Sequence, residues 1–540
     1  MKKKSVLVAV IVFAVVFFAI IVAHFAGVSF SETAWSLLPP IVAIALALIT
    51  KEAYSSLFIG VLLGALMMAD CNFRGTVDVL TVDALSAAVA DTSGIFLFLV
   101  FLGIIVALVN KAGASRAFGE WAQKNIKTKT GAMLATFLLG VLIFIDDYFN
   151  CLTVGSVMAP VTDAKKISRV KLAYLIDATA APVCMIAPIS SWAAAVSGCV
   201  ESEMYSGMEL FVRAIPYNFY SILTFVFILT LAFLGFDYGK MADFEIRAEK
   251  DGDLAILDVA LVDAKQERKL EEEGPQISHK GKIIDLILPI ALLIVFCVWG
   301  LIKNGFDAME GEGNWIEAFS NTDAYVGLPW GTVIALVIII IYMVLRKIIS
   351  FEEAMECVPQ GFIAMVPAIM ILTLATALKN MTQGLGVKIF VHNVMESAGN
   401  IQWILPAVVF IVACIIAFAT GTSWGTFGIL IPIVSVVFPE TSSLFFVGVS
   451  ACLAGAVCGD HCSPISDTTI MSSAGAHCNH IDHVSTQLPY AISVAVISFV
   501  CYILAGIFDM VGITWLSIPV GVALTIAFLF VMKNMTAKKA

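Results

Sequence analysis

Charge is what this chain has little of. Only 13% of its 540 residues are Asp, Glu, Lys or Arg, about half the ~25% of a soluble domain. Beside 60% apolar residues and a mean hydropathy of +0.97, that shortage excludes an ordinary soluble protein. Other absences narrow the class. There is no succession of ~10-residue alternating segments, so a β-barrel is excluded. No G-x-x-x-x-G-K-[ST] occurs, so no ATP site is expected. The twelve cysteines make no disulfide framework; Cys297, Cys414, Cys452 and Cys501 lie in apolar runs, where Cys acts as a small hydrophobe. Long polar stretches are missing too, except for 236–282. That acidic segment reads as a solvated linker, with a regulatory role as the alternative.

What is there is apolar sequence in runs of ~20 residues, each enough to cross ~30 Å of hydrocarbon. The fold class is an all-α polytopic membrane protein, with about 12 transmembrane helices and two re-entrant hairpins by the threading that follows. Lys and Arg mark the cytoplasmic side. "MKKK" opens a run longer than a signal-peptide core, with no clear A-x-A site, so it reads as a retained first helix with its N-terminus inside. Helices are expected at 5–26, 36–50 and 54–69, followed by an outside loop over 70–91, then a helix at 93–110. The basic stretch 111–131 falls inside. Segment 132–171 starts and ends at basic loops, so it reads as a hairpin with its tip at 146–150. Helices at 172–198 and 210–235 lead to the linker. The second half has helices at 283–302, 328–345 and 361–378. A hairpin over 401–437, tip at 420–426, and helices at 443–470, 488–508 and 514–532 complete it. The C-terminus falls inside.

The halves resemble each other. "LVNKAGASRAFGEWA" (108–122) aligns with "LKNMTQGLGVKIFVH" (378–392), and "APISSW" (187–192) with "SPISDT" (463–468). Threaded by charge, the halves have opposite senses, which is an inverted-topology repeat with broken helices meeting at mid-membrane. The units are 1–35 (first helix and loop), 36–236 (repeat 1), 237–282 (linker), 283–508 (repeat 2) and 509–540 (last helix and basic tail).

Buried charge is costly in a bilayer and is kept where it binds or conducts something. The first hairpin tip carries Asp146, Asp147 and Asn150. The first broken helix carries Asp177, Pro182, Pro188 and Ser190; two prolines remove backbone hydrogen bonds and free carbonyls. The second tip carries Thr422 and Ser423 among glycines. The second broken helix, "GDHCSPISD", carries Asp460, Ser463, Ser466 and Asp467. Cys458, Cys462 and the histidines have spacings near those of a zinc site. The cysteines lie deep in apolar sequence, however, and the histidines ~20 residues later, which does not assemble a tetrahedral set. Asp460 and Asp467 are therefore read as carboxylates for Na⁺, not zinc. The adjacent pair Asp146 and Asp147 would titrate as a coupled unit. His461, His477, His480 and His483 are candidate pH-sensing groups, or ordinary packed and hydrated loop residues.

"GTSWGTFGILIPI" (421–433) and "GDHCSPISDTTIMSSAGAHCNHIDHVSTQLPYA" (459–491) resemble signatures of NhaC-type Na⁺/H⁺ antiporters, within the ion-transporter superfamily. The resemblance covers roughly 36–508. It implies a secondary carrier, not an enzyme, in the cytoplasmic membrane of a prokaryote. It further implies a scaffold holding a mobile domain made of the hairpins and broken helices, no cofactor, and a homodimer by superfamily analogy. Partners would be the lipid bilayer, Na⁺ and H⁺; no nucleic acid is expected. The alternative is Na⁺- or H⁺-coupled exchange of a small organic acid or amino acid, of malate/lactate type. No clear Lys or Arg deep in the membrane favours it, since Lys379 falls near a helix end.

Overall fold

The computed structural model describes residues 2–50, 53–144, 146–199, 202, 204–256, 278, 280–311, 313–387, 389–390, 402–464 and 466–537. Among them the protein is helical. The first half contains α1 (Lys2–Phe25), α2 (Leu38–Thr50), α3 (Ala53–Met68) and α4 (Phe73–Lys111). Next come α5 (Ala114–Asn125), α6 (Lys129–Leu142), α7 (Asp147–Asp163), α8 (Arg169–Cys184) and α9 (Ser191–Cys199). A pair bent by 46°, α10 (Gly207–Tyr217) and α11 (Phe219–Leu234), ends it. The linker begins with α12 (Lys240–Lys250).

The second half contains α13 (Ile284–Ala308), the short α14 (Trp315–Ser320), α15 (Ala324–Leu345) and α16 (Phe351–Gly384). It continues with α17 (Leu405–Thr420), α18 (Ser423–Val437), α19 (Ser443–Cys462), α20 (Asp467–Ala476), α21 (His480–Asp509) and α22 (Ser517–Ala537).

Three stretches expected as loop are helical. The outside loop over 70–91 is helical from Phe73 onward and joins the next helix through a π-helical stretch, Val79–Ser86. The basic segment 111–131 and the start of the linker each hold an amphipathic helix, α5 and α12. By length and composition, seven helices among the described residues can cross a membrane, or nine if each bent pair is one span. Shorter apolar helices, such as Lys129–Leu142 and Ser423–Val437, accompany them. Helices suit this setting because every interior backbone group is satisfied within the segment.

Packing repeats element by element. The pair α2–α3 has its counterpart in α13–α15, and α3–α16 in α4–α15. Similarly, α6–α8 matches α17–α19, α7–α20 matches α18–α9, and α8–α21 matches α19–α11. Where the equivalent helices α4 and α16 meet, Gly103 touches Gly361: a Cβ on Gly103 would lie 2.4 Å from the Gly361 carbonyl oxygen. Such close backbone approach is how helices gain packing contact when lipid offers no hydrophobic drive.

Candidate functional site

Both predicted broken helices are broken. α8 stops at Cys184 and α9 starts at Ser191; α19 stops at Cys462 and α20 starts at Asp467. The aligned "PIS" motifs sit in the two gaps. In each, the serine caps the next helix: Ser190 Oγ accepts from the Ala193 N–H (3.1 Å) and Ser466 Oγ from the Thr469 N–H (3.2 Å). Thr422 does the same for α18 at 3.4 Å, after Gly421 turns the chain at φ +70°. These three hydroxyls thus terminate helices, the ordinary task of Ser and Thr at an N-cap.

The carboxylates are deeply buried. Asp146, Asp147, Asp177 and Asp460 are at most 2% exposed. Ser191 Oγ donates to Asp146 (3.3 Å), and Thr468 Oγ1 to Asp460 (2.6 Å). Asp467 is the first residue of α20; its side chain lies outside the described part. Asn150 donates its Nδ2 to the carbonyls of Gly140, Ile143 and Thr179, at 2.7, 3.1 and 3.3 Å. Three carbonyls around that nitrogen fix the amide orientation. Its Oδ1 is buried without a donor. Ser463 Oγ donates to the Phe418 carbonyl (2.8 Å) and Ser423 Oγ to the Ala456 carbonyl (3.2 Å), tying the second break to α17 and the second tip to α19.

A buried polar cluster centres on Asp177, which the sequence reading placed on the broken helix but left out of its site. Gln487 Nε2 donates to Asp177 Oδ2 (2.6 Å) and also to the His461 carbonyl (2.8 Å). Ser472 Oγ donates to Asp177 Oδ1 (3.3 Å), and His483 Nε2 lies 3.5 Å from Oδ2. From Ser472 the chain continues to Cys151 Sγ (3.2 Å), whose thiol points to the Thr468 carbonyl (3.9 Å). Thr468 is the residue on Asp460. A row of buried polar groups on α7 and α20 therefore lies between Asp177 and Asp460; the one Ser472 hydrogen serves either Asp177 or Cys151, and Thr468 is met at its carbonyl on one side and gives its hydroxyl on the other. These helices cross at Gly155 and Gly475, where a Cβ on Gly155 would lie 2.4 Å from the Gly475 carbonyl carbon.

The histidines divide. His461 is buried, with Nδ1 3.1 Å from the Tyr220 hydroxyl. His483 is fully buried, not in a hydrated loop. His480 bridges the Pro464 carbonyl (2.8 Å) and Ser473 (3.2 Å). His477 is exposed and ends α20 in the left-handed region, φ +53°. Among the described residues no group of three or more His, Cys, Asp or Glu could hold a metal ion in the manner of zinc. An apolar cleft of about 410 Å³ lies behind Asp460, lined by residues such as Phe410, Cys414, Phe418, Cys458 and Cys462. It offers no polar path.

Opposite the α7–α20 crossing, α9 and α18 meet through aromatic rings. Trp192 lies 5.8 Å from Trp424 and 5.3 Å from Phe427. Among the described residues, both buried indole N–H groups have no acceptor.

Membrane-length helices around buried carboxylates and helix breaks define a multi-pass membrane transport protein. Residues 192–507 match the Na⁺/H⁺ antiporter family, and the chain belongs to that family. It is 38% identical over 496 residues to an uncharacterized protein of Haemophilus influenzae, covering 89% of this chain and 92% of the relative. Over 234 residues, 42% of each chain, it is 28% identical to the arginine/ornithine antiporter ArcD of Halobacterium salinarum. Among solved structures it is similar to MtrF of Neisseria gonorrhoeae, from a class of antimetabolite efflux pumps, at 12% identity and TM-score 0.42, covering 80% of this chain and 84% of MtrF. The YdaH transporter of Alcanivorax borkumensis gives 12% and 0.36, with 82% and 90% covered. Its membership of the Na⁺/H⁺ antiporter family makes the protein a secondary transporter.

Proposed function

We propose that this transporter exchanges Na⁺ for H⁺ across a prokaryotic cytoplasmic membrane by alternating access. The observation that carries the reading is the row of buried polar groups between Asp177, inside α8, and Asp460, at the second helix break. A carboxylate there is costly as a bare charge. A proton or a Na⁺ ion each neutralises it, so the two compete for the same oxygens. Asp460, Asp467, Ser463, Ser466, Thr422 and Ser423 from one half, and Asp146, Asp147, Asn150 and Ser190 from the other, remain the cation and proton set, to which Asp177 and its partners are added. His461 and His483 stand closest to the carboxylates; His477 and His480 belong to helix ends.

In this reading the chain has about twelve spans and two re-entrant hairpins in an inverted repeat. Half-helices move as a unit past the scaffold around α4 and α16. Basic loops and both termini face the cytoplasm. A homodimer belongs to the same reading by analogy.

The test uses purified protein in vesicles with an internal pH dye and an imposed ΔpH. Adding Na⁺ should move protons with no organic solute present, and Asp177→Asn and Asp460→Asn should each abolish the response. No response in the parent protein, or full transport by both variants, would sink the proposal.

A second reading is favoured by one observation. The unpartnered indole donors of Trp192 and Trp424 suit acceptor oxygens of an organic acid or amino acid, since a cation cannot use a donor. The partial relative named an arginine/ornithine antiporter points the same way. Na⁺-dependent counterflow of an amino acid, without Na⁺-driven proton movement, would establish it.

A further inference from the structure

The start of the acidic linker is not loose. Asp237 lies between two helices of the candidate site. It accepts from Lys171 Nζ of α8 (2.6 Å) and from the Tyr490 hydroxyl of α21 (2.7 Å). The Lys171 and Asp237 side chains are 3% and 8% exposed. Eight residues on, Glu245 of α12 accepts from the Ser168 N–H (2.8 Å), pairs with Lys129 of α6 (2.8 Å) and lies 3.8 Å from Lys171. The Leu254 carbonyl takes the Arg169 N–H (2.8 Å). Tyr238 reaches Ser493 of α21 (2.8 Å). Two lysines meet two carboxylates: Lys171 and both carboxylates are buried, and Lys129 closes the set from a part-exposed position. The linker also satisfies backbone donors at the start of α8, groups that a helix cannot satisfy for itself.

We propose that Asp237 is a positioning residue for the transport site. It fixes the spacing of α8 and α21, and so holds Asp177 against His483 and Gln487. Asp177 stands six residues beyond Lys171 on α8, about 9 Å along the axis at ~1.5 Å per residue. Gln487 and His483 stand three and seven residues from Tyr490 on α21. The segment 236–256 is thereby a cytosolic part of the site, and whatever moves it alters the site. This rests on the reading of the Asp177 cluster as the place where the transported ion binds.

Asp237→Asn leaves Lys171 without its closest counter-charge, while Asp237→Glu keeps the charge and Tyr490→Phe removes one hydrogen bond. Two measurements apply to each variant of the full chain. Amide exchange reads whether residues 169–177 and 480–490 open, whatever the substrate. Proton movement in vesicles reads the half-saturating Na⁺ concentration and the maximum rate. For Asp237→Asn we expect faster exchange in both segments, none at the α4–α16 crossing, and an about tenfold rise in half-saturating Na⁺, with a smaller fall in maximum rate. Asp237→Glu should recover most of that shift. A lower maximum rate at unchanged half-saturation would mark a merely structural strap and overturn the proposal. If Asp237→Asn does not fold, Tyr490→Phe decides: a two- to threefold shift supports the proposal, on the order expected for one lost hydrogen bond, and no shift overturns it. Full transport by Asp177→Asn would instead sink the site reading, and with it the link to Na⁺. Exchange would then still decide whether Asp237 holds α8 to α21.

Discussion

The repeat makes two equivalent crossings and fills them differently. At α7–α20, Gly155 and Gly475 bring the backbones together, and Cys151, Ser472 and Thr468 place polar groups between the carboxylates. At α9–α18, three aromatic rings hold the helices apart and two indole donors go unanswered. The first crossing lies toward the basic loops, the second toward the acidic ones. A shared packing pattern with unlike contents lets each crossing carry its own chemistry. The glycine crossing leaves no room for a solute. The aromatic crossing has donors that only an acceptor can satisfy.

The sharpest way to break this contrast is Gly155→Ala. The added methyl meets Gly475 backbone, which cannot swing away. Overpacking of this kind costs about 1–3 kcal/mol, and the α7–α20 spacing would widen. We expect a lower melting temperature and loss of Na⁺-driven proton movement. Gly103→Ala, at the α4–α16 crossing, should cost similar stability while leaving half-saturating Na⁺ unchanged in the surviving protein. Equal kinetic effects from both would erase the distinction between scaffold and site.

Next in size is the aromatic crossing. Trp424→Phe and Trp192→Phe keep a ring and delete a donor that has no partner here. Removing an unsatisfied buried donor is neutral or stabilising by ~1 kcal/mol, so the melting temperature should hold or rise. If the donors serve an organic solute, its counterflow falls several-fold while Na⁺-driven proton movement persists. Unchanged counterflow of every organic acid and amino acid tried would confine these indoles to packing.

The contrast also shows what sequence can carry. Both breaks were legible, because prolines and a repeated "PIS" announce where a helix stops. The chain turns near both expected tips, at 143–146 and at Gly421–Thr422, though Asp147 and Asn150 of the first tip lie in α7. Ser190 and Ser466 read as ion ligands from sequence; the Ala193 and Thr469 amides add a helix cap to each, a role no spacing announced and one that leaves the hydroxyl oxygen a lone pair for an ion. The Asp177 cluster was half-visible. Its carboxylate stands out in α8, but Gln487 and Ser472 lie some 300 positions away, and no spacing rule joins them. The helix across 73–92 was hidden by its aspartates, which charge threading assigned to a loop. The anchored start of the linker was hidden because its acidic composition reads as solvated whether or not partners wait on the bundle.

A smaller test uses the caps themselves. Ser190→Ala and Ser466→Ala should each cost ~1 kcal/mol of stability, the usual loss for an N-cap, and the two losses should match if the repeat is structural. Thermal melts check it. A much larger transport defect at Ser466 than at Ser190, with equal melting temperatures, would return Ser466 to the ion site.

The smallest effect is expected at His477. It closes α20 in the left-handed region, with its N–H bonded to the Ala474 carbonyl and the Cys478 N–H to the Ser473 carbonyl. That geometry is the helix-ending turn in which glycine is favoured. A side chain there is strained and the imidazole is exposed, so His477→Gly should raise stability by a few tenths of a kcal/mol, up to ~1 kcal/mol. Its pH profile of transport should overlay that of the parent. A displaced profile would make the exposed ring a proton sensor after all. It would also mean that pH reaches the buried polar row from the end of α20, only five residues beyond Ser472.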